Sequence, residues 1–380
     1  MSANNAESAT SQPVRILTTG EAAPLFIAPT TKQERFVFDS ASGRTIVLCF
    51  FGSAADPRSS ACLAAFSRRP DRFDDRSCVF FGVTNDPEDV AQERIREQVP
   101  GYRYFLDYDR AIAAQFGVHE NPERGDRLSQ LTYVLDERMR VFAVVPFGDD
   151  AEHHVQDVMK QVASIPPVNR DQLVEAPAPV LVVPRVFEAG LCRTLIEYYR
   201  SNGGRESGFM REKEGKTVPV YDNTYKMRRD QTIEDEDLRG ACVHRMYNRL
   251  VPEILKAFAL RATRIERYIV ARYDGGSGGF FRAHRDNTTK GTVHRKFAVS
   301  INLNTGEYEG GQLRFPEFGQ QRYAPPLGGA VVFSCSLLHE ATPVTSGERF
   351  CFLPFLYDDQ SAKIRAENQR FLVSPDDEET

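Results

Sequence analysis

The stretch Phe281-Arg-Ala-His284-Arg-Asp286-Asn-Thr288 decides how the C-terminal half of the chain is interpreted. A histidine and a carboxylate two residues apart in an extended segment point to the same face, so His284 and Asp286 can hold one metal ion. The apolar run Gly329-Ala-Val-Val-Phe-Ser-Cys-Ser-Leu-Leu predicts a buried strand that ends just before His339. His339 is therefore the expected third ligand.

The pattern around these residues predicts helices followed by a run of strands. Helices are expected at 188–201 and 236–260, and strands at 264–273, 296–303, 311–315, 329–335 and 348–357. Helices that precede strands separated by glycine-rich turns are typical of an α+β domain with a double-stranded β-helix, or jelly roll. The mouth of such a fold can bring His284, Asp286 and His339 together. The polar segment 203–222 is expected to be mobile and to close over a substrate.

From about residue 184 to residue 358 the chain resembles the prolyl 4-hydroxylase-like branch of the Fe(II)/2-oxoglutarate dioxygenases. The matching segments are Tyr273-Asp-Gly-Gly-Ser-Gly-Gly279, the His-x-Asp pair, Phe297-Ala-Val-Ser-Ile-Asn302, Glu309-Gly-Gly-Gln-Leu-Arg-Phe-Pro316, Gly328-Gly-Ala-Val-Val-Phe333, His339, and a basic residue ten positions later, Arg349.

The resemblance implies an enzyme that uses Fe(II), with 2-oxoglutarate as co-substrate. Two histidines and one carboxylate form the facial triad of such iron sites. Arg349 is expected to pair with the distal carboxylate of 2-oxoglutarate, because a guanidinium can donate two parallel hydrogen bonds. Tyr273 is expected to reach the co-substrate, and Asn302 or Ser300 to line its pocket. The implied reaction releases succinate and CO2 and hydroxylates a C–H bond, with ascorbate as an auxiliary reductant.

The sequence does not identify the substrate, which could be an amino acid, a peptide or a small metabolite. Arg285, Asn287 and the segment 203–230 are candidate substrate contacts, and two arginines near the site favour a polar or acidic substrate. Arg285 could instead brace the metal-binding loop. His294 is interpreted as a loop or substrate-contact residue, and His153, His154 and His244 as solvated. A homodimer is expected, and the small mixed charge suggests neither a nucleic-acid nor a membrane partner.

The N-terminal half has a different pattern, in which strands alternate with helices. Strands are expected at 45–51, 78–84, 131–135 and 141–145, and helices at 62–66, 88–98, 111–116 and 152–163, which together indicate an α/β domain. The region resembles the peroxiredoxin branch of the thioredoxin fold. The segments that carry the resemblance are Gly82-Val-Thr-Asn-Asp86, Phe105-Leu-Asp-Tyr-Asp109, Gln115-Phe-Gly-Val118 and Leu131-Thr-Tyr-Val-Leu-Asp136.

Cys62 is the candidate redox residue of this half. The resemblance aligns Ser59-Ser-Ala-Cys62 with a motif that places a reactive thiol in the first helical turn, where the helix end stabilises thiolate. Gln130 stands where the family has an arginine, and Arg58, Arg68 or Arg69 could replace it. Cys62 could therefore serve a thiol peroxidase or redox sensor, with the C-terminal half as a docking module. In a third interpretation neither half catalyses a reaction.

Composition and the positions of proline-rich stretches predict the domain boundaries. The prediction is a disordered lead-in over 1–20, a peroxiredoxin-like domain over 21–165, a proline-rich linker over 166–179 and the jelly-roll domain over 180–380. The N-terminus lacks a secretory pattern, and no apolar run approaches a membrane span. The seven cysteines lack paired spacings, so a reducing, cytoplasmic setting is expected.

Overall fold

The computed structural model describes residues 15–118, 120–121, 127–128, 130–166 and 176–372. The chain divides into two compact units between residues 171 and 172. Most of the predicted lead-in over 1–20, and much of the predicted linker over 166–179, lie outside the described residues. The described part of the lead-in packs on the N-terminal unit, because the Gly20 N–H donates to the Val141 carbonyl at 2.7 Å.

The N-terminal unit is built on a mixed five-stranded sheet. The strand order is Tyr102–Leu106, Cys78–Thr84, Thr45–Gly52, Leu131–Leu135 and Val141–Pro146, with the first three strands parallel and the last two antiparallel. The two parallel strands in the middle are apolar and almost wholly buried, because a separate hydrophobic cluster covers each face of the sheet. The predicted thioredoxin-like α/β class is confirmed, although the edge strand Tyr102–Leu106 was not predicted.

The helices of this unit are Pro57–Ser67, Glu88–Ala91, Ala111–Gln115 and Ala151–Ser164. Short elements complete it: the paired strands Ile27–Ala28 and Phe36–Val37, the paired strands Glu120–Asn121 and Arg127–Leu128, and the 3-10 turns Phe38–Ala41 and Pro70–Arg72.

Two predicted helix positions in this unit were wrong. The first helix begins at Pro57, because the Asp56 side chain caps the Ser59 N–H and proline suits the first helical position. Cys62 therefore lies in the middle of the helix and not in its first turn. The helix expected at 88–98 ends at Ala91, because Glu93 adopts a positive φ of 53° and the chain turns.

The C-terminal unit contains two facing antiparallel sheets. The major sheet has the order Leu181–Val183, Ala330–Ser334, Phe297–Asn302, Val344–Phe352, Ile269–Asp274, Arg229–Thr232 and Arg205–Glu206, with Arg264–Glu266, Tyr308–Gly310 and Phe355–Tyr357 paired beside it. The minor sheet has the order Lys226–Met227, Phe280–His284, His339–Ala341, Leu313–Arg314 and Arg322–Tyr323. Side chains of both sheets meet in two shared hydrophobic clusters. The predicted jelly roll is confirmed.

Helices cover the outer face of the major sheet. They are Ala189–Asn202, Glu236–Arg245 and Val251–Phe258, and a further helix, Asp359–Asn368, follows the last strand. The single helix expected at 236–260 is interrupted by a π-helical turn, Met246–Leu250. Pro252 explains the interruption, because it has no backbone N–H to continue the regular ladder.

The segment expected to be mobile contains regular structure. Phe209–Lys213 and Lys216–Val220 form an antiparallel hairpin, and Thr217 makes a bridge to Leu372. The short 3-10 turns Pro316–Phe318 and Gln369–Phe371 complete this unit.

Candidate metal centre

His284 and His339 lie opposite each other on neighbouring antiparallel strands of the minor sheet. Directly opposed residues of such strands have close side chains, and the two imidazole ring centroids are 4.3 Å apart. Asp286 follows two residues after His284, in a turn and not in an extended strand as predicted. Its backbone N–H donates to the Cys335 carbonyl at 3.0 Å, and this bond directs the carboxylate to the histidines.

The three side chains converge on one point. The Nε2 atom of His284 is 3.5 Å from Asp286 Oδ1, and the Nε2 atom of His339 is 3.3 Å from Asp286 Oδ2. One potential ligand atom from each residue lies within 4.8 Å of the others. Among the described residues, His284, Asp286 and His339 are the cluster of side chains that could hold a metal ion.

The hydrogen bonds of the histidines select the tautomer that a metal requires. The Nδ1 atom of His284 is 2.7 Å from the Arg282 carbonyl, and the Nδ1 atom of His339 is 3.0 Å from the Leu337 carbonyl. Because a carbonyl only accepts, both Nδ1 atoms carry a proton, which leaves each Nε2, the nitrogen that faces Asp286, as the atom that could coordinate a metal. Carbonyl acceptors for the second ring nitrogen are typical of metal-binding histidines.

The electrostatics also fit a divalent cation. Burial lowers the pKa of His284, which favours the neutral imidazole. Burial alone would raise the pKa of Asp286, but the neighbouring His339 and His284 hold it well below its usual range. Two neutral imidazoles and one ionised carboxylate are the donor set of a 2-His-1-carboxylate iron site.

Arg349 lies on the strand Val344–Phe352 of the major sheet, where it is 2% exposed. Its Nη2 donates to Ser300 Oγ at 2.8 Å and to Asn302 Oδ1 at 3.0 Å. The Nε atom is buried without a hydrogen-bond partner, and no carboxylate among the described residues forms an ion pair with this guanidinium. A buried guanidinium that keeps a donor free and lacks a carboxylate is suited to an anionic ligand.

Tyr273 is the neighbour of Arg349 across the major sheet. The Arg349 guanidinium carbon is 5.3 Å from the centroid of the tyrosine ring, and the Tyr273 hydroxyl accepts a hydrogen bond from Arg228 at 3.3 Å. The structure therefore brings Tyr273, Ser300, Asn302 and Arg349 together, as the resemblance implied. Asn302 Nδ2 also donates to the Tyr308 hydroxyl at 2.8 Å.

Arg285 is tied to two other segments of the C-terminal unit. It forms an ion pair with Glu317 at 2.8 Å and donates to the Ser336 carbonyl. Glu317 also accepts from the Leu338 N–H at 2.9 Å, so it links the two segments that carry the histidines. Asn287 donates to Ser336 Oγ at 2.8 Å and strengthens the same connection.

A cavity of about 550 Å³ opens beside His284 and Asp286. The hairpin segment contributes to its wall, so part of the segment 203–230 borders this cavity. Lys226 and Arg228 of this wall belong to the segment 203–230 but were not singled out, and Arg267 and Arg295 were missed, because their sequence neighbourhood carries no motif. His294 is 1% exposed and is held by Glu266 at 2.6 Å.

The surroundings of Cys62 do not favour thiolate. The side chain is 1% exposed, and the neighbouring Cys49 thiol together with burial raises the pKa of Cys62 far above its usual value. Thiolate is the reactive form in thiol peroxidases, so this direction opposes peroxidatic chemistry. A small cavity of about 210 Å³ reaches Cys62, and Arg58 and His154 also line it.

The candidate replacements for the missing arginine have other partners. Arg68 and Arg69 both pair with Glu152, and Arg58 donates to the Phe147 carbonyl at 3.2 Å. Gln130 donates to Ser59 Oγ at 2.8 Å and does not supply a charge.

The prediction for one histidine of this unit was wrong. His154 is buried and not solvated, because it packs against the sheet and its Nε2 lies 3.0 Å from Thr132 Oγ1.

Comparisons with known proteins assign each half to a family. Residues 268–357 match the model of the 2OG-Fe(II) oxygenase superfamily, and residues 19–144 match the model of the AhpC/TSA family. A PKHD-type hydroxylase of Shewanella baltica is 30% identical over 158 residues, which are 40% of this chain and 67% of that protein. Another PKHD-type hydroxylase, of Thioalkalivibrio sulfidiphilus, is 31% identical over 134 residues, which are 33% of this chain and 58% of that protein.

Solved structures resemble each half as well. A prolyl-4-hydroxylase of Pseudomonas putida is 22% identical, with a TM-score of 0.37. The match covers 48% of this chain and 94% of the hydroxylase chain. The peroxidoxin BcpB of Mycobacterium tuberculosis is 20% identical, with a TM-score of 0.34, and covers 39% of this chain and 98% of its own.

Within the residues that the structure describes, no helix combines the length and the apolar character needed to cross a bilayer. The family match of the C-terminal half, the identity to the Shewanella hydroxylase and the His-Asp-His cluster agree with one another. The chain belongs to the 2OG-Fe(II) oxygenase superfamily, as a 2-oxoglutarate-dependent dioxygenase that uses Fe(II) and carries an AhpC/TSA-family domain in its N-terminal half.

Proposed function

We propose that this dioxygenase hydroxylates a C–H bond of an amino-acid, peptide or small-metabolite substrate, with His284, Asp286 and His339 as the ligands of Fe(II). The observation that carries the proposal is the convergence of two imidazole nitrogens and one carboxylate oxygen, all within 4.8 Å of one another. An iron ion bound there would have three protein ligands on one face and open positions on the other.

The protein residues in this proposal bind and orient. The carbonyls of Arg282 and Leu337 hold the Nδ1 protons, so each imidazole keeps its lone pair on the metal side. Asp286 stays ionised and supplies the negative charge. When bound, Fe(II) and 2-oxoglutarate together supply oxidising chemistry that releases succinate and CO2 and places one oxygen atom of O2 on the substrate.

Arg349 is the proposed anchor for the distal carboxylate of 2-oxoglutarate. Ser300 and Asn302 fix one edge of its guanidinium, and its Nε keeps a free donor. Tyr273 is proposed to contact the co-substrate beside Arg349, since the two residues are paired across the sheet. Asn302 is proposed to line the same pocket.

The wider biochemical setting is also a proposal. Ascorbate would serve as an auxiliary reductant of the iron. The partner is a small-molecule or peptide substrate, with neither nucleic acid nor membrane involved, and the chain is proposed to be a cytoplasmic homodimer. We do not propose a thiol peroxidase as a second function, because Cys62 is buried and its pKa is raised.

The test is an assay of the purified full chain with Fe(II), 2-oxoglutarate, oxygen and a cell extract. Succinate is measured, and the matched control is His284→Ala. We expect succinate formation in the wild-type protein to exceed that of the variant, together with an extract metabolite or peptide that gains one oxygen atom. Equal succinate in both proteins would overturn the proposal.

A further inference from the structure

The cavity beside the metal centre has the size of a small-molecule site. Its volume is about 550 Å³, and pockets for small ligands generally measure about 300–1,000 Å³. His284 and Asp286 form part of its wall, and Phe209 and Met210 of the hairpin form another part. A substrate in this cavity would lie next to the reacting centre.

The charged residues of the wall are strongly unbalanced. The cationic members are Arg211, Lys226, Arg228, Arg267, Arg285 and Arg295, whereas the acidic members are Glu266 and Asp286.

Carboxylates match three of the arginines. Arg228 pairs with Asp230 at 2.6 Å, Arg285 pairs with Glu317 at 2.8 Å, and Arg295 pairs with Glu266 at 2.7 Å. Among the described residues, no carboxylate forms an ion pair with Arg211, Arg267 or Lys226. Arg211 is exposed and lies over the Phe209 ring at 4.9 Å, so Arg267 and Lys226 are the more enclosed cations that a ligand could neutralise.

The position of Arg267 is fixed by the fold. The residue has a positive φ of 71°, which interrupts the two strands Arg264–Glu266 and Ile269–Asp274. Its guanidinium carbon lies 4.5 Å from the centroid of the Phe355 ring, and among the described residues it donates to the Leu353 carbonyl at 3.4 Å. Burial and the nearby Arg228 lower the pKa of Arg267 to about 10. A strained, stacked arginine with a weak acceptor is oriented for an external anion.

Lys226 is 4% exposed and lines the same cavity. Its ammonium donates to Ser207 Oγ at 2.7 Å and to the Gly208 carbonyl at 2.5 Å. An ammonium has three N–H donors, so one remains after these two bonds. Burial, reinforced by the positive charge of Arg228, lowers the pKa of Lys226 well below its usual value, and a bound anion would offset this cost.

The reacting centre itself cannot neutralise these two residues. Fe(II) and Arg349 together carry three positive charges, and Asp286 with the 2-oxoglutarate dianion matches them. The positive charge of Arg267 and Lys226 is therefore left for the substrate.

We propose that the substrate of this dioxygenase carries a carboxylate or phosphate group that binds Arg267 and Lys226 in the cavity beside the metal centre. The inference rests on the proposed function, because it takes the cavity as the substrate site. It narrows the substrate class to organic acids and phosphate esters.

The experiment uses the full chain loaded with Mn(II) and 2-oxoglutarate without oxygen. The probes are inorganic phosphate, observed by ³¹P relaxation, and trifluoroacetate, observed by ¹⁹F relaxation, because Mn(II) accelerates the relaxation of nuclei bound close to it. His284→Ala corrects for Mn(II) bound elsewhere. The binding of Mn(II) and 2-oxoglutarate is measured first by water-proton relaxation, so a failure of the proposed function is seen separately.

We expect saturable relaxation enhancement for at least one probe, and the stronger probe identifies the anionic group. Arg267→Gln and Lys226→Met should each weaken the apparent affinity at least about tenfold, since each removes a charge-assisted hydrogen bond. Arg267→Lys should recover part of it. Arg264→Gln is the matched control, because Arg264 is exposed, pairs with Asp359 at 2.9 Å and does not line the cavity.

Two results would overturn the inference. The first is the absence of enhancement in a wild-type protein that binds Mn(II) and 2-oxoglutarate. The second is enhancement that persists unchanged in both Arg267→Gln and Lys226→Met, because the probe would then bind elsewhere.

Discussion

The Arg285 guanidinium and the Glu317 carboxylate form an ion pair 2.8 Å long that joins the two segments carrying His284 and His339, the proposed metal ligands. Arg285 lies between His284 and Asp286, and Glu317 also accepts from the N–H of Leu338, which precedes His339. The pair is solvent-accessible, so its contribution to global stability is small. Its importance lies in holding the ligands in register.

Replacing the bracing carboxylate should weaken metal binding. Glu317→Gln removes the charge that holds Arg285, so the loop of Asp286 gains freedom and the dissociation constant for Fe(II) should rise several-fold, up to about tenfold. Anaerobic titration calorimetry measures this constant. Glu340→Gln is the control, because Glu340 follows His339 but pairs with Arg314 at 2.6 Å. Equal Fe(II) affinity in wild type and Glu317→Gln would refute the bracing role.

Removing the proposed anchor arginine should weaken the binding of 2-oxoglutarate and leave the binding of the metal unchanged. Arg349→Gln loses a buried charge-assisted contact, so its KM for 2-oxoglutarate should rise about 100-fold. The KM of Arg349→Lys should lie between those of Arg349→Gln and wild type. Succinate formation at varied 2-oxoglutarate gives these values. Arg272→Gln, on the strand beside Tyr273 but paired with Glu348, should leave KM unchanged. An unchanged KM in Arg349→Gln would remove Arg349 from the site.

Acid should destabilise the cluster of Glu266, His294 and Arg295. Burial alone would raise the pKa of Glu266, but the hydrogen bond from His294 and the charge of Arg295 hold it well below its ordinary value of 4.5. Because the pKa of Glu266 is lower in the folded chain than in the unfolded chain, its ionised form stabilises the fold at pH values above about 4.5. This stabilisation is lost as the pH falls from about 4.5 towards the pKa of the folded chain.

The measurement is the thermal midpoint of wild type and Glu266→Gln from neutral pH downwards. At neutral pH the variant should be about 3 kcal/mol less stable, because it leaves Arg295 buried without its partner. The difference should shrink below about pH 4.5. A difference that is constant with pH would show that the charge of Glu266 is not the cause.

The N-terminal unit should not reduce peroxide through Cys62. Because burial and Cys49 keep Cys62 as a thiol, wild type and Cys62→Ser should consume hydrogen peroxide at the same slow rate in the presence of a thiol reductant. Consumption that is lost in Cys62→Ser and retained in His284→Ala would instead restore the peroxidase interpretation.

The parts of the site that the sequence predicts are those with short-range patterns. His284 ends its strand, and Arg349 follows His339 at a fixed interval. The apolar run was expected to end just before His339, but its strand ends at Ser334, and His339 begins a separate strand of the minor sheet. The approach of Arg349 to Ser300 and Asn302 followed from the family resemblance and not from the pattern itself. Asp286 was expected in an extended strand but lies in a turn, because its N–H bonds to Cys335 far along the chain.

The parts that could not be predicted depend on long-range contacts. Glu317 is an ordinary acidic residue until the fold places it between Arg285 and Leu338, and no motif around Arg267 predicts that it lines the cavity. Local propensity carries no information about these two placements.

In the N-terminal unit, by contrast, the start of the helix at Asp56-Pro57 is a local capping signal that the prediction of a helix at 62–66 overlooked, so Cys62 lies in a buried middle turn.

If His284, Asp286, His339 and Arg349 form one iron and 2-oxoglutarate centre, anaerobic calorimetry of the full chain should give one Fe(II) per chain and one 2-oxoglutarate per chain that binds only when Fe(II) is present. His339→Ala should lose both, and Arg349→Gln should lose only the 2-oxoglutarate affinity. Binding of 2-oxoglutarate that is independent of Fe(II), or Fe(II) binding that survives in His339→Ala with wild-type affinity, would show that the four residues do not form one centre.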